Sequence, residues 1–236
     1  ILPVVTSHED KVDPGVSPDS FLCGLDKALD NLNLLLTFNS AEKAKKGIEI
    51  ARERLEEVKA MVEENKLEAA GKGKDEEIKV LSKVKQSISG IREKNATKQI
   101  EEEIEIEKEL EEHEDEIEEV SNNLRIKIEI KGGLNEQQKA LIDSILSSLK
   151  NKTGEIKVEI KIKKDKTKIK IQSETGKSEK EVEDEVEDIE EEKGLADIKK
   201  EKASEQIEEA KEDLAELEKE LQEHKIAGDI ENKTSI

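Results

Sequence analysis

The chain has 236 residues, of which 43% are charged and 33% hydrophobic, with two Phe and no Trp or Tyr. Too few apolar side chains are present for one broad core, and thin helical units with narrow apolar seams suit the supply better. A net charge of −20 excludes the cationic footprint that nucleic acid or an anionic membrane needs. No run approaches the ~20 apolar residues of a membrane span, so neither nucleic acid nor an integral membrane segment is expected. The charge is uneven: Arg125 to Ile171 holds 13 Lys/Arg against 6 Asp/Glu. Such a basic stretch can dock on an acidic helix of its own chain or of another. The bias to Lys, Glu and Ile is one found in proteins of hot environments. Cys23 stands alone, so no internal disulfide forms.

In chain order, residues 1–17 read as an extended arm. Its run Ile1, Leu2, Val4 and Val5 is β-prone, and Asp13-Pro14-Gly15 is a turn. A start at Ile1 rather than Met fits a mature chain after signal removal, hence a secreted, extracellular location. Residues 18–123 read as helical. Ser17-Pro18 opens a first helix and Asn39 with Glu42 opens a second, and the two are expected to form a hairpin. Ala69 to Lys74, with Gly71 and Gly73, reads as a loop before a third stretch capped by Asp75. Gly90 and Asn95 mark a weak point, beyond which Ile100, Ile104, Leu110, Ile117 and Val120 continue an acidic helix.

At residues 124–173 the period changes to two. Leu124, Ile126, Ile128 and Ile130 alternate with charges, as do Ile156, Val158, Ile160 and Ile162, with Ile169 and Ile171 after a turn at Lys164-Asp165-Lys166. Together with a helix capped by Asn135 and Gln138, these segments predict a basic β-α-β-β unit with open edges. Residues 174–225 return to helical spacing. There Ala203, Ile207, Ala210, Leu214, Leu217 and Leu221 recur four and three apart, a coiled-coil seam that needs a partner helix. Residues 226–236 are a tail without period. The expected fold class is α+β, mostly α.

One part of the chain is similar to a known family. Pro18-Asp19-Ser20-Phe21-Leu22, Gly24-Leu25, Ala28-Leu29, Leu36-Thr37-Phe38, Ala41-Glu42-Lys43-Ala44 and Ala51-Arg52-Glu53-Arg54-Leu55-Glu56-Glu57 resemble domain of unknown function 5667. This helical family occurs largely in archaeal secreted and surface proteins, and its usual opening has Tyr near Cys23. The resemblance covers Pro18 to Leu67. It implies an exported archaeal protein with a helical hairpin, and no catalytic activity.

Chemistry-bearing patterns are sparse. His8, His113 and His224 lie far apart, and neither HExxH nor a Cys/His zinc spacing occurs. Gly176-Lys177-Ser178 looks like the tail of a phosphate-binding loop, but glycine is lacking at Ile171 and carboxylates follow at once. The acidic runs lack the converging loop of a calcium site. No cofactor, metal or catalytic residue is implied. Asn95, Asn151 and Asn232 each open an Asn-X-Thr sequon and are glycosylation candidates.

These features predict a non-enzymatic, extracellular structural protein that self-associates into a fibre or surface layer. Ile1, Leu2, Val4 and Val5 are the candidates for strand addition to a neighbour's sheet. Ile207, Leu214, Leu217 and Leu221 are the candidates for helix pairing, with Ile100 to Val120 as one possible mate. The partner is another copy or another surface protein. The alternative is a binding or adaptor module acting as monomer or dimer.

Overall fold

A computed structural model describes residues 23–132 and 134–196, and every regular element among them is a helix. They are α1 (Cys23–Leu36), α2 (Ser40–Glu63), α3 (Leu67–Gly90), α4 (Ala96–Lys131) and α5 (Glu136–Thr175), followed by α6 over residues 179–196. The chain divides into two compact units, residues 1–183 and 184–236. The first holds the bundle considered below. In the second, residues 184–196 are described and are helical.

The helix starts follow local chemistry. Asn39 accepts from the amides of Ala41 and Glu42 at the head of α2, and Asn95 from those of Thr97 and Lys98 at the head of α4. Asn135 and Gln138 form a reciprocal capping box on α5. Gly176, in the left-handed region at φ 72°, ends α5. The expected break at Gly90 and Asn95 is present, so α3 and α4 are separate helices.

Two expectations fail. Ala69 to Lys74 is no loop, because α3 begins at Leu67 and runs straight through both glycines. At Gly73, as at Gly47 of α2, the reason for glycine is close packing of α2 on α3. A methyl group at Gly47 would sit 2.5 Å from Val84 Cγ2, and one at Gly73 would sit 2.9 Å from Val58 Cγ2. The helical hairpin is therefore α2 with α3, while α1 makes slighter contact with α2.

The β-α-β-β unit is absent from the described residues. Leu124 to Ile130 forms the last turns of α4, and Ile156 to Ile171, the turn at Lys164-Asp165-Lys166 included, lies inside α5. The fold is thus helical where α+β was expected. The period-two pattern conceals a helical one. From Leu149 to the end of α5 the buried positions are Leu149, Thr153, Ile156, Ile160, Thr167 and Ile171, which recur at helical spacing once two threonines are counted as core. The apolar residues between them, Val158, Ile162 and Ile169, are exposed. At the end of α4, Leu124 is buried while Ile126 and Ile130 face out.

Four helices make the bundle. α2 packs on α3, α3 on α5, α5 on α4, and α4 on α2. Lys45, Arg52 and Lys127 with Glu105, Glu112 and Glu63 show that α2 and α4 run parallel. Lys85 with Glu155 and Ser89 with Glu159 show the same for α3 and α5. α4 and α5 are antiparallel: Lys150, Lys157 and Lys164, one per heptad, reach Glu118, Glu114 and Glu107 at 2.7, 2.6 and 2.5 Å. The basic stretch therefore does dock on an acidic helix, its own α4. Two apolar clusters fill the interior. One is centred on Ile48, Leu81, Val84, Leu110 and Ile156, the other on Leu55, Val58, Ile117, Leu146 and Leu149.

Candidate functional site

Three polar groupings interrupt the bundle core. The deepest joins the diagonal helices α3 and α4, where His113 Nε2 lies 3.1 Å from Glu77 Oε1 with both side chains fully buried. Glu116 stands 3.5 Å from Nδ1, an electrostatic neighbour more than a bond partner. Burial pushes the Glu77 carboxyl up, against the pull of His113. Burial pulls the His113 imidazole down, but Glu116 and Glu77 together outweigh it and the net shift is upward. The second grouping pins α5 to α4. Gln99 Nε2 donates to Glu103 and to Thr167 Oγ1, both at 2.8 Å, and Thr167 donates to Glu103 at 3.0 Å. Burial raises Glu103 as well. The third ties α1 to α2, with the buried Arg54 guanidinium bridging Glu57 and Asp30.

A substrate would have no route to the Glu77–His113 pair, since neither side chain touches solvent. What these groups do chemically is fix register. A buried polar residue in an apolar seam fits one alignment of its helices and penalises the others. Glu109, on the α2 side of α4, is driven up to about 7 by burial, against the pull of Lys45 and Arg52.

The outer surface carries what remains open to a partner. Leu29, Leu32, Leu35, Leu36 and Phe38 are exposed on α1 and the turn after it, Phe38 to 93%. Beside them lies a cleft of about 400 Å³ lined by Leu34, Leu35, Ser40, Lys43, Lys83, Gln86 and Ser87. α5 adds Val158, Ile162 and Ile169.

The sequence-predicted sites are not brought together. Asn95 is exposed at the head of α4. Asn151 is exposed too, but its sequon is wound into α5, and Thr153 is fully buried with its hydroxyl donating to Leu149 O. Ile100, Ile104, Leu110, Ile117 and Val120 are core residues, so they are not free to pair with the seam. Ile1, Leu2, Val4, Val5, Ile207, Leu214, Leu217, Leu221 and Asn232 lie outside the described residues, as do His8 and His224. The Glu181 carboxylate accepts from the Ser178 amide and hydroxyl at 2.8 and 2.7 Å, filling the place a phosphate would take. Among the described residues no three His, Cys, Asp or Glu side chains are grouped to hold a metal ion. None of their helices is long and apolar enough to cross a membrane. Sequence reading missed the polar core positions Glu77, Gln99, Glu103 and Thr167. Their signal was there: each falls in helical register with apolar neighbours.

Residues 15–127 match the family model described as Domain of unknown function (DUF5667). The N-terminal part of the chain thus carries this domain of unknown function, and the similarity extends well past Leu67 into α4. No curated protein and no solved structure matches the chain. The match stops short of α5, yet α5 supplies Ile142, Ile145, Leu146, Leu149, Ile156 and Ile160 to the two apolar clusters. Residues beyond the matched stretch close the core.

Proposed function

We propose that this protein is a non-enzymatic binding module of an archaeal cell exterior, acting as a discrete particle, monomer or dimer, rather than as a fibre subunit. The observation that carries this reading is the set of apolar side chains left outside a bundle whose charges are largely paired with one another. Exposed apolar residues that gather in rows mark contact surfaces. Strand addition by the arm loses its support, because the described residues offer no sheet edge to receive it. Charge docking by the lysine-rich segment is likewise used up within the chain. The exported, archaeal setting is supported by the family resemblance and by the sequon at Asn95, exposed where a loop meets α4.

Negative-stain electron microscopy with light scattering tests the reading. Discrete small particles at high concentration are expected, and filaments or sheets would overturn it. For the setting, the protein isolated from its source should carry glycan at Asn95 and none at Asn151. Unmodified Asn95 would remove that support.

A further inference from the structure

Leu29 to Phe38 runs against the composition of the chain. It carries one ionisable side chain, Asp30, where 43% of all residues are charged, and Arg54 of α2 holds that carboxylate. Five of its ten residues are exposed apolar side chains: Leu29, Leu32, Leu35, Leu36 and Phe38. α1 turns Asp30 and the buried Leu34 to the bundle. Lys46 of α2 adds bonds to Asn33 Oδ1 and Thr37 Oγ1 at 3.4 and 3.2 Å. At about 100° per residue, Leu32 lies roughly 180° from the centre of the Asp30–Leu34 face, and Leu29, Leu35 and Leu36 roughly 120–140° from it. The leucines therefore stand on the outer side of α1, away from α2.

Single exposed leucines are ordinary, but five large apolar side chains gathered on one helix and the turn after it are not. Their exposed fractions, from 49 to 93%, amount to roughly 600 Å² of apolar surface at about 200 Å² for a whole side chain. Two copies meeting through this face would remove about 1,200 Å² from water, where the range of specific, stable interfaces begins. The lack of charge favours a second copy as the occupant. A net charge of −20 sets two copies against each other over most of their surface, and along Leu29 to Phe38 neither brings an unpaired charge. The same net charge opposes an anionic bilayer. Leu29, Leu32 and Leu36 are also three and four apart, the spacing by which one helical row packs on a like row.

We propose that the outer face of α1, Leu29, Leu32 and Leu36 with Leu35 and Phe38 beside them, packs on the same face of a second copy and forms a homodimer. A twofold axis passes near Leu32, the middle of the row, so each copy covers the other's leucines and the contact closes on itself. The bonds from Arg54 and Lys46 hold α1 on the bundle, so the row is ordered before the copies meet. This inference rests on the discrete-particle reading above and specifies its dimer.

The test uses the full chain. Sedimentation equilibrium should give a dimer, and Leu32→Glu with Leu36→Glu should weaken it by about a hundredfold, since like charges would meet across the axis in place of apolar surface. Circular dichroism checks that the variant keeps its helicity. Leu32→Ala, which adds no charge, should weaken the dimer by about tenfold and decides the matter if the double variant unfolds. Ile130→Glu, exposed at the far end of α4, should leave the dimer unchanged. In a Cys23→Ser background, Leu32→Cys should oxidise to a linked dimer whichever way the two helices run, because the middle of the row meets itself in both. Ile130→Cys, at a position 79% exposed, should not. A monomer, a dimer indifferent to the Leu32 substitutions, or linkage no faster through Leu32→Cys than through Ile130→Cys overturns the proposal and leaves the discrete-particle reading standing. So does a monomer that needs Leu32 to bind neutral phosphatidylcholine vesicles, which would assign the face to a lipid surface. Filaments would overturn the discrete-particle reading itself.

Discussion

The two hairpins of the bundle are built differently. α2 and α3 are 24 residues each and meet through apolar side chains at glycine-permitted close range. α4 and α5, at 36 and 40 residues, meet through a narrower seam. Gln99, Glu103 and Thr167 occupy core positions there, and a lysine of α5 reaches a glutamate of α4 once per heptad. The first pair draws its stability from burial and close fit. The second is aligned by polar and ionic pairing, which supplies little stability for each contact but much discrimination between registers.

The largest effect is expected where charge is buried. Arg54→Ala would leave Glu57, 1% exposed, without its guanidinium. A loss of about 3–5 kcal/mol is expected in urea unfolding, with α1 detaching from α2. A loss below 1 kcal/mol would show that the triad is not what holds α1. Next comes the glycine contact. Gly47→Ala forces a methyl against Val84 and should cost about 1–3 kcal/mol. Gly71→Ala, with open space around it, should stabilise α3 by up to about 1 kcal/mol. Equal effects at the two sites would remove close packing as the reason glycine occurs at position 47 of α2.

The pH dependence probes the buried polar groups. Burial raises Glu77 and Glu103 above the ordinary 4.5 and takes Glu109 to about 7. Between 4.5 and those values the folded chain binds more protons than the unfolded one, so stability falls as pH rises through this window. His113, raised from 6.5, contributes stability that is present below 6.5 and lost as pH rises through its folded value. Glu155 acts oppositely. Bonds from Lys85 and Lys152 hold it down at about 2, and that support is lost as pH falls from 4.5 toward 2. Thermal unfolding should therefore give a maximum near pH 5 and a decline toward pH 8. A midpoint that rises from pH 5 to pH 8 would contradict this. Glu77→Gln should flatten the decline.

The smallest effect belongs to the ladder. Lys164 and Glu107, each 12% exposed, form its least solvated rung, and Lys164→Gln should cost about 1 kcal/mol or less. Lys150→Gln, on a more exposed rung, should cost less still.

The same contrast decides what could be read in the sequence. In α2 the residues Ala44, Ile48, Ala51, Leu55 and Val58 form one unbroken apolar row, all of them buried, and the period of 3.6 was plain. The caps at Asn39 and Asn135 were legible because an Asx side chain bonds only to nearby amides, whereas Asn95 read only as a break and proves to cap α4. In α5 the helical row passes through Thr153 and Thr167, which a hydropathy reading scores as polar. Meanwhile Val158, Ile162 and Ile169, apolar yet exposed, supply a false alternation of period two. A strand and a helix with two apolar rows share that pattern, and only the partner α4, some 40 to 60 residues away in sequence, separates them. Gly73 misled for a similar reason. It suits a loop and equally suits two helices in close contact, and only the tertiary partner decides between the two; for Gly71, with open space around it, the structure gives no packing reason.

The bundle depends on α5 being one continuous helix zipped to α4. Backbone carbon chemical shifts of residues 156–171 in the full-length protein test that most directly. Uninterrupted helical shifts through Val158, Lys164 and Ile169 are expected, with amide exchange slowest at Ile156 and Ile160. Strand-like shifts at 156–162 and 169–171, with a turn at Lys164-Asp165-Lys166, would contradict the account and remove the ladder.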